Sequence, residues 1–294
     1  MYPTLDRTLA RGAIGVAALS LALAAAGCAA RDNPATDDSA ATTAAAPQAL
    51  TVTTTDYAFD MPSQATAGVT TIKLVNHGTT IHHMQLVRLD SAKTVQDLGA
   101  AMAREGPPPA WAHFAGGPNA VAPNDSTTAT LTLEPGNYAA ICVIPAADHE
   151  LHVAKGMAHP LTVVAAPAGS APAAEPTTDM SISLSDYAFT LSDSLTAGHH
   201  VFDVSNAGTQ PHEVVLVRLD AGKTPNDVLT WVFNQNGPPP GVPLGGIVAI
   251  EPGMHQSFAA DLAPGDYALM CFIPDGKDGK PHAMHGMMKE IHVS

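Results

Sequence analysis

Tyr267-Ala268-Leu269-Met270-Cys271, answered ten residues later by Pro281-His282-Ala283-Met284-His285-Gly286-Met287, is the stretch from which the chain is best read. It has a counterpart in Tyr138-Ala139-Ala140-Ile141-Cys142, followed by His152-Val153-Ala154-Lys155-Gly156-Met157. Each copy runs a short apolar strand into a cysteine, crosses a polar loop, and ends on a histidine and a methionine five residues apart. With 14 histidines and 11 methionines in 294 residues, about 0.5 such pairs would arise by chance. Here there are two, at matching positions behind a strand cysteine.

Outward from these stretches the whole unit repeats. Asp56-Tyr57-Ala58-Phe59 returns as Asp186-Tyr187-Ala188-Phe189, and Thr66-Ala67-Gly68 as Thr196-Ala197-Gly198. Leu86-Val87-Arg88-Leu89-Asp90 returns as Leu216-Val217-Arg218-Leu219-Asp220. Gly106-Pro107-Pro108-Pro109 returns as Gly237-Pro238-Pro239-Pro240, and Pro135-Gly136 with Tyr138 as Pro264-Gly265 with Tyr267. This is a tandem copy of a full domain, far longer than the roughly 20–50 residues of a solenoid repeat.

Within each unit short β-branched and apolar runs alternate with Gly, Pro and Asn turns. In the first they are Leu50–Thr55, Val69–Val75, Met84–Leu89, Thr128–Leu133, Tyr138–Val143 and Leu161–Val164. One helix interrupts each unit. Thr94 caps the first, with Val95, Leu98 and Met102 facing inward; in the second, Thr224 is followed by Pro225 and Asp227, a strong start signal. The pattern predicts an all-β chain: two tandem Greek-key β-sandwich domains over 50–165 and 179–294, each with a short helical insertion.

His82 and His212 each stand six residues after the Asn of an Asn-x-Gly turn, Asn76 or Asn206. Each unit therefore offers two imidazoles, a thiolate and a thioether: His82, Cys142, His152 and Met157, then His212, Cys271, His282 and Met287. Thiolate and thioether suit Cu(I) and imidazole suits Cu(II). The set is that of a type 1 copper centre, with His₂Cys in a plane and Met weakly on the axis. Two copper ions, one per domain, are expected. A His entering one strand and a Cys leaving an antiparallel neighbour meet at the same end of a sandwich.

Each unit resembles a cupredoxin domain. Asn206-Ala207-Gly208-Thr209-Gln210-Pro211-His212 is similar to the first-ligand segment of plastocyanins. The long gap from Cys to second His, with Pro281-His282 and Gly286-Met287, is closer to the type 1 site of two-domain copper nitrite reductases. The resemblance implies reversible copper binding and one-electron transfer. Two departures matter. Copper nitrite reductases and multicopper oxidases carry a His before the type 1 Cys to reach a second copper centre; here Ile141 and Met270 stand there. The Asn that often follows the first His in plastocyanins is His83 or Glu213 here. The expectation is an electron carrier, not a catalyst, with no small-molecule substrate evident. Its rivals are a non-redox copper-buffering or partner-binding lipoprotein of the same fold and, disfavoured, a copper oxidoreductase.

The first 28 residues read as an address. Arg7 and Arg11 precede an apolar run from Ala13 to Ala26, shorter than the roughly 20 residues of a membrane-spanning helix. The run closes on Ala25-Ala26-Gly27-Cys28, which resembles the bacterial lipoprotein cleavage box, with Cys28 the lipidated residue. An exported, membrane-anchored lipoprotein of the cell envelope is expected, with 29–49 a disordered tether and 166–178 a linker. The formal charge of −14 argues against nucleic acid as a partner; electron transfer implies a redox protein as partner, and the charge itself serves either solubility or steering toward a basic one. With three cysteines, one for lipid and one per domain, none is left for a disulfide, although a Cys142–Cys271 bridge is the alternative. The other histidines, His83 and His200 among them, match no repeated pattern and are expected to be mostly solvated. Met284, His285 and Met288 are candidates for extra copper on the second loop.

Overall fold

Period-2 burial builds the strands. In the strand Gly68–Asn76, Thr70, Ile72, Leu74 and Asn76 turn inward and Lys73 outward. Ile72 and Leu74 are fully buried, each contributing about 2 kcal/mol of burial. The computed structural model describes residues 45–102 and 109–294. The signal segment, Cys28 and the tether up to residue 44 lie outside the described residues.

The first repeat contributes β1 (Gln48–Thr55), β2 (Ala58–Asp60), β3 (Gln64–Thr66), β4 (Gly68–Asn76), β5 (Gln85–Leu89), α1 (Val95–Met102), β6 (Ala112–Gly116), β7 (Ser126–Leu133), β8 (Gly136–Ile141) and β9 (Ala158–Val164). The second contributes β10 (Met180–Ser185), β11 (Ala188–Leu191), β12 (Gly198–Asn206), β13 (His212–Leu219), α2 (Pro225–Asn234), β14 (Gly241–Ile250), β15 (His255–Leu262), β16 (Gly265–Met270), a single 3-10 turn at His282–His285 and β17 (Met288–Val293). Both helices open on the capping predicted for them. Asp227 N–H donates to Thr224 Oγ1 while the Asp227 carboxylate accepts the Thr224 N–H. Thr94 and Asp97 make the same reciprocal pair. β1 begins at Gln48, inside the expected tether, and Ala45 bridges to Ala173 of the linker.

The strands form two sheets that run unbroken through both repeats. One has the order β11-β10-β12-β15-β7-β4-β1-β2, the other β17-β16-β13-β14-β6-β5-β8-β9-β3. Apart from β3 at one edge, each order mirrors about its middle, so the repeats face each other across a pseudo-two-fold axis. The register shows where that axis passes. In the β15–β7 pair Phe258 is opposite Ala129, and these are equivalent positions of the two repeats. In the other sheet Pro118 is opposite Ile247, again equivalents. Around them Asn119 N–H donates to Gly246 O and Val248 N–H to Gly117 O, both at 3.1 Å. The halves thus pair as an isologous dimer does, within one chain.

The strands that make this junction, β6 and β14, were not among those predicted. β14 reads Gly-Val-Pro-Leu-Gly-Gly before its apolar end, a composition that resembles a turn. The junction is apolar with buried amides threaded through it. Ala120 packs with Val215, Val217 and Ala283, joined by Ile81 and Ile144 of the first repeat and Phe272 of the second. Gln85 Nε2 donates to Ala249 O at 3.1 Å, and Gln256 Nε2 to Ala115 O at 2.7 Å.

Candidate metal centres

His82 lies just ahead of β5, tied to Val121 by N–H donations in both directions. Cys142 follows β8 directly. Because β5 and β8 are antiparallel with Gln85 opposite Ile141, the entry to one and the exit from the other fall at the same end of the sandwich. β13 and β16 do the same for His212 and Cys271, with Val215 opposite Met270.

The loop after each cysteine folds back in one pattern. Val153 N–H donates to Cys142 O at 2.8 Å, His152 N–H to Ile144 O at 3.0 Å, and Met157 N–H to His152 O at 2.9 Å. In the second repeat Ala283 donates to Cys271 O at 2.8 Å, His282 to Ile273 O at 2.9 Å and Met287 to His282 O at 3.0 Å. Gly156 and Gly286 turn the chain at φ 103° and 98°, a conformation glycine adopts without a Cβ penalty. The loops thereby return Met157 and Met287 to the cores that hold Cys142 and Cys271.

Each repeat brings its three strong donors together. His82 Nδ1 and His152 Nδ1 are 3.1 Å apart, with Cys142 Sγ 3.5 Å from His152 Nδ1. His212 Nδ1 and His282 Nδ1 are 3.0 Å apart, with Cys271 Sγ 3.4 Å from His282 Nδ1 and 3.9 Å from His212 Nδ1. All six residues are buried. Donors held at about 2.0–2.3 Å by one ion in a plane stand about 3.5 Å from one another, so both sets fit a single small ion. Met157 and Met287 are fully buried in the same cores. Cys142 and Cys271 are free thiols, each with its own histidine pair.

The far side of the first histidine is fixed by a carboxylate. Asp56 Oδ1 lies 3.2 Å from His82 Nε2, and Asp186 Oδ1 lies 2.9 Å from His212 Nε2. A carboxylate accepts a hydrogen bond from Nε2–H, leaving the Nδ1 lone pair to face the cysteine. Asp56 also accepts the Thr79 N–H at 2.8 Å and its hydroxyl at 2.6 Å. Burial pushes its pKa upward, but the side-chain and backbone bonds from Thr79 prevail and hold it at about 2. A Cβ at Gly78 would come within 2.6 Å of both Asp56 Oδ1 and His82 Nε2, and Gly208 is equally tight. The glycine of the Asn-x-Gly turn is therefore demanded by the Asp–His pair beneath it. The Asn locks the loop: Asn76 Nδ2 donates to Thr80 O and Val121 O, and its Oδ1 accepts the Gly78 N–H.

Both centres are poised for a cation. Burial pushes the Cys142 thiol up to about 12. Cys271 is raised by burial and then by the Glu213 charge. Burial, then the facing imidazole, holds His152 and His282 neutral with pKa values of about 4. At neutral pH the imidazoles are ready to ligate, and the thiol must lose its proton.

In the sequence Asp56 and Asp186 stand out only as members of the repeat, with no role attached. Their signal was the verbatim return of Asp-Tyr-Ala-Phe. Tyr57 and Tyr187 belong with them: each packs edge-on against the second histidine, at 5.0 Å from His152 and 5.4 Å from His282. His83 and His200 are buried, not solvated as expected. His83 Nε2 accepts the Val143 N–H at 2.9 Å, and Glu213 Oε1 accepts the Phe272 N–H at 2.8 Å, each beside a cysteine. His200 pairs with Asp179. Of the residues expected to offer extra copper sites, His285 stands 3.1 Å from Asp278 in a group with Asp275, while Met284 is exposed.

The two sandwich halves and their paired His-Cys-His sets make the chain cupredoxin-like in fold, and copper is the ion whose chemistry this donor set fits. No family model matches the chain, and no curated protein does. Among solved structures it is similar to auracyanin A, a blue copper protein from Chloroflexus aurantiacus, at 21% identity over 40% of this chain and 99% of that one, with a TM-score of 0.30. It is also similar to a blue copper oxidase from Nitrosomonas europaea, at 16% identity over 84% of this chain and 86% of that one, with a TM-score of 0.24. A copper-containing nitrite reductase from Thermus scotoductus is similar at 10% identity over 84% of this chain and 61% of that one, with a TM-score of 0.23. Among the described residues no helix is long and apolar enough to cross a membrane.

Proposed function

We propose that the chain is an electron carrier with two type 1 copper centres, one held by His82, Cys142, His152 and Met157, the other by His212, Cys271, His282 and Met287. The observation that carries this reading is the convergence of two Nδ1 atoms and one Sγ at a fully buried point in each repeat. Copper bound there supplies a one-electron couple whose two oxidation states share one ligand set. The chain's part is to hold that set still. Asp56 and Asp186 fix the first histidine, the cysteine loop fixes the second, and burial excludes water. Ile141 and Met270, in place of a histidine before each cysteine, favour a carrier over a catalyst. Its partner is a redox protein. Export and lipid anchoring at Cys28 complete the proposal and rest on the sequence alone.

The test is Cu(II) titration of the reduced, metal-free protein. Two equivalents should bind with an intense visible thiolate-to-copper band that disappears on reduction, and Cys142→Ser and Cys271→Ser should each remove one equivalent of it. Tight Cu(I) binding without that band would replace the carrier by a copper buffer. Nitrite turnover would make it an enzyme.

A further inference from the structure

The second centre is flanked by a buried carboxylate that the first lacks. Asp275, four residues after Cys271, is 4% exposed. Its Oδ2 accepts the Tyr187 hydroxyl and the Gln210 Nε2–H, the latter at 2.9 Å. Its Oδ1 accepts the backbone N–H groups of Lys277 at 2.8 Å and Asp278 at 3.3 Å. The Gly276 N–H donates to Gln210 Oε1 at 2.7 Å, which fixes the amide so that Nε2 faces Asp275. Donors on every side and no acceptor define an ionised carboxylate with its lone pairs filled. Asp275 therefore has no acceptor site left for an ion shared with Asp278 and His285.

Its charge lies on the outer side of a proposed copper ligand. Asp275 Oδ2 is 3.9 Å from His282 Nε2, and that nitrogen is buried with no hydrogen-bond partner. At this distance the pair is electrostatic, beyond hydrogen-bond reach. Because His282 Nδ1 faces Cys271, Nε2 carries the ring proton. Tyr187, held by Asp275, packs edge-on against the same ring with 5.4 Å between centroids. In the first repeat Ala146 takes the place of Asp275 and Thr80 that of Gln210. Tyr57 still packs against His152, but the charge over it is the Lys155 ammonium, 5.5 Å from the ring centroid and itself paired with Asp148 and Glu150.

We propose that Asp275 is a positioning residue of the second centre alone: it anchors Tyr187 against His282 and sets a buried negative charge beyond that ligand, which favours Cu(II) over Cu(I). The proposal rests on the copper reading for its redox arm; its anchoring arm needs no metal. In a Cys142→Ser chain, which keeps only the second centre, Asp275→Asn should raise the preference for Cu(I) over Cu(II) by about tenfold, or about 59 mV for a one-electron couple. Asp275→Ala should raise it as well. Neither variant should move the first centre in a Cys271→Ser chain. An unmoved second centre in Asp275→Asn, or an equal shift at both centres, overturns the proposal.

The anchoring arm is read by NMR on the metal-free full chain. Nuclear Overhauser contacts between the Tyr187 and His282 rings should survive Asp275→Asn, whose remaining carbonyl oxygen still accepts the Tyr187 hydroxyl, and should be lost in Asp275→Ala. Those between Tyr57 and His152 should be unchanged in both. Full retention of the Tyr187–His282 contacts in the alanine variant overturns the proposal. A wild-type chain that never shows the copper–thiolate band defeats the copper reading instead, and the ring contacts still decide whether Asp275 holds Tyr187. Should the alanine chain fail to fold, Tyr187→Phe removes the same hydrogen bond from the other side and should weaken the same ring contacts.

Discussion

Asp56 Oδ1 and His82 Nε2 stand 3.2 Å apart beneath Gly78, and the same trio recurs as Asp186, His212 and Gly208. The carboxylate decides which imidazole nitrogen is free, so it controls the centre without touching the ion. Removing such a partner typically costs 10–100-fold in metal affinity. Asp56→Ala should weaken copper at the first centre by roughly that factor and leave the second unchanged. Competition against a calibrated chelator in the Cys142→Ser and Cys271→Ser backgrounds checks this. Equal weakening at both centres would refute a local role.

Beside their cysteines the two centres differ in one buried charge. Glu213 accepts N–H groups on both oxygens, from Asn119 and Phe272, where the first repeat has neutral His83. Burial pushes Glu213 up to about 7, so it is mostly a carboxylate at pH 8. A negative charge beside Cys271 favours Cu(II), and the second centre should have the lower potential. Glu213→Gln should raise it by on the order of 60 mV, a tenfold change in relative affinity for a one-electron couple. In the unaltered chain that potential should rise as pH falls through 7 and Glu213 takes a proton; in the variant this step should vanish. Spectroelectrochemical titration from pH 6 to 8.5 measures both.

All eight proposed ligands could be picked out in the sequence because each belongs to a residue type with a narrow chemical use and recurs at the same repeat position. Strands with clean alternation, such as Gly68–Asn76, were equally legible. What escaped was whatever depends on tertiary neighbours. Asp56 is an ordinary turn residue until the fold places it under His82. His83 reads as a surface histidine until the fold buries it against the Val143 N–H. β6 and β14 carry the glycines and proline of turns because another backbone lies against them: a Cβ at Gly246 would approach Val214 O to 2.1 Å, and one at Gly117 would approach Met84 O to 2.4 Å. The repeat announced two domains. The registers of Ala129 with Phe258 and of Pro118 with Ile247 show that they share their sheets.

The metal-free fold should weaken in acid. Burial holds His83 at about 3 and His152 and His282 at about 4, against 6.5 for a free imidazole. Between pH 6.5 and about 4 the unfolded chain takes up protons that the folded chain refuses, so stability falls as pH falls through that window. Glu213 acts in the opposite sense: raised from 4.5 to about 7, it stabilises below its unfolded value and loses that contribution as pH rises through 7. His82 is lowered by burial as well, and His200 is raised against its burial by its bond to Asp179, so four groups against two set the direction. Urea midpoints of the metal-free protein should be lower at pH 4.5 than at pH 7.5, and a flat profile would mean that these histidines are solvated.

The shared sheets make a mechanical prediction at the junction. Gly245 has φ 106°, and a Cβ there would fall 1.9 Å from Thr127 Oγ1 across the repeat boundary. Gly245→Ala combines backbone strain with overpacking and should cost about 2–4 kcal/mol. Because both sheets cross the boundary, that loss belongs to the whole molecule and not to the second repeat. The metal-free variant should unfold in one transition at lower urea, with α1 and α2 melting together. Gly99, in α1, has open space around its Cβ position, and Gly99→Ala should be neutral or stabilising by up to about 1 kcal/mol. Two separate transitions, with only the second shifted by Gly245→Ala, would show that the repeats fold independently and that the continuous sheets contribute little to holding them together.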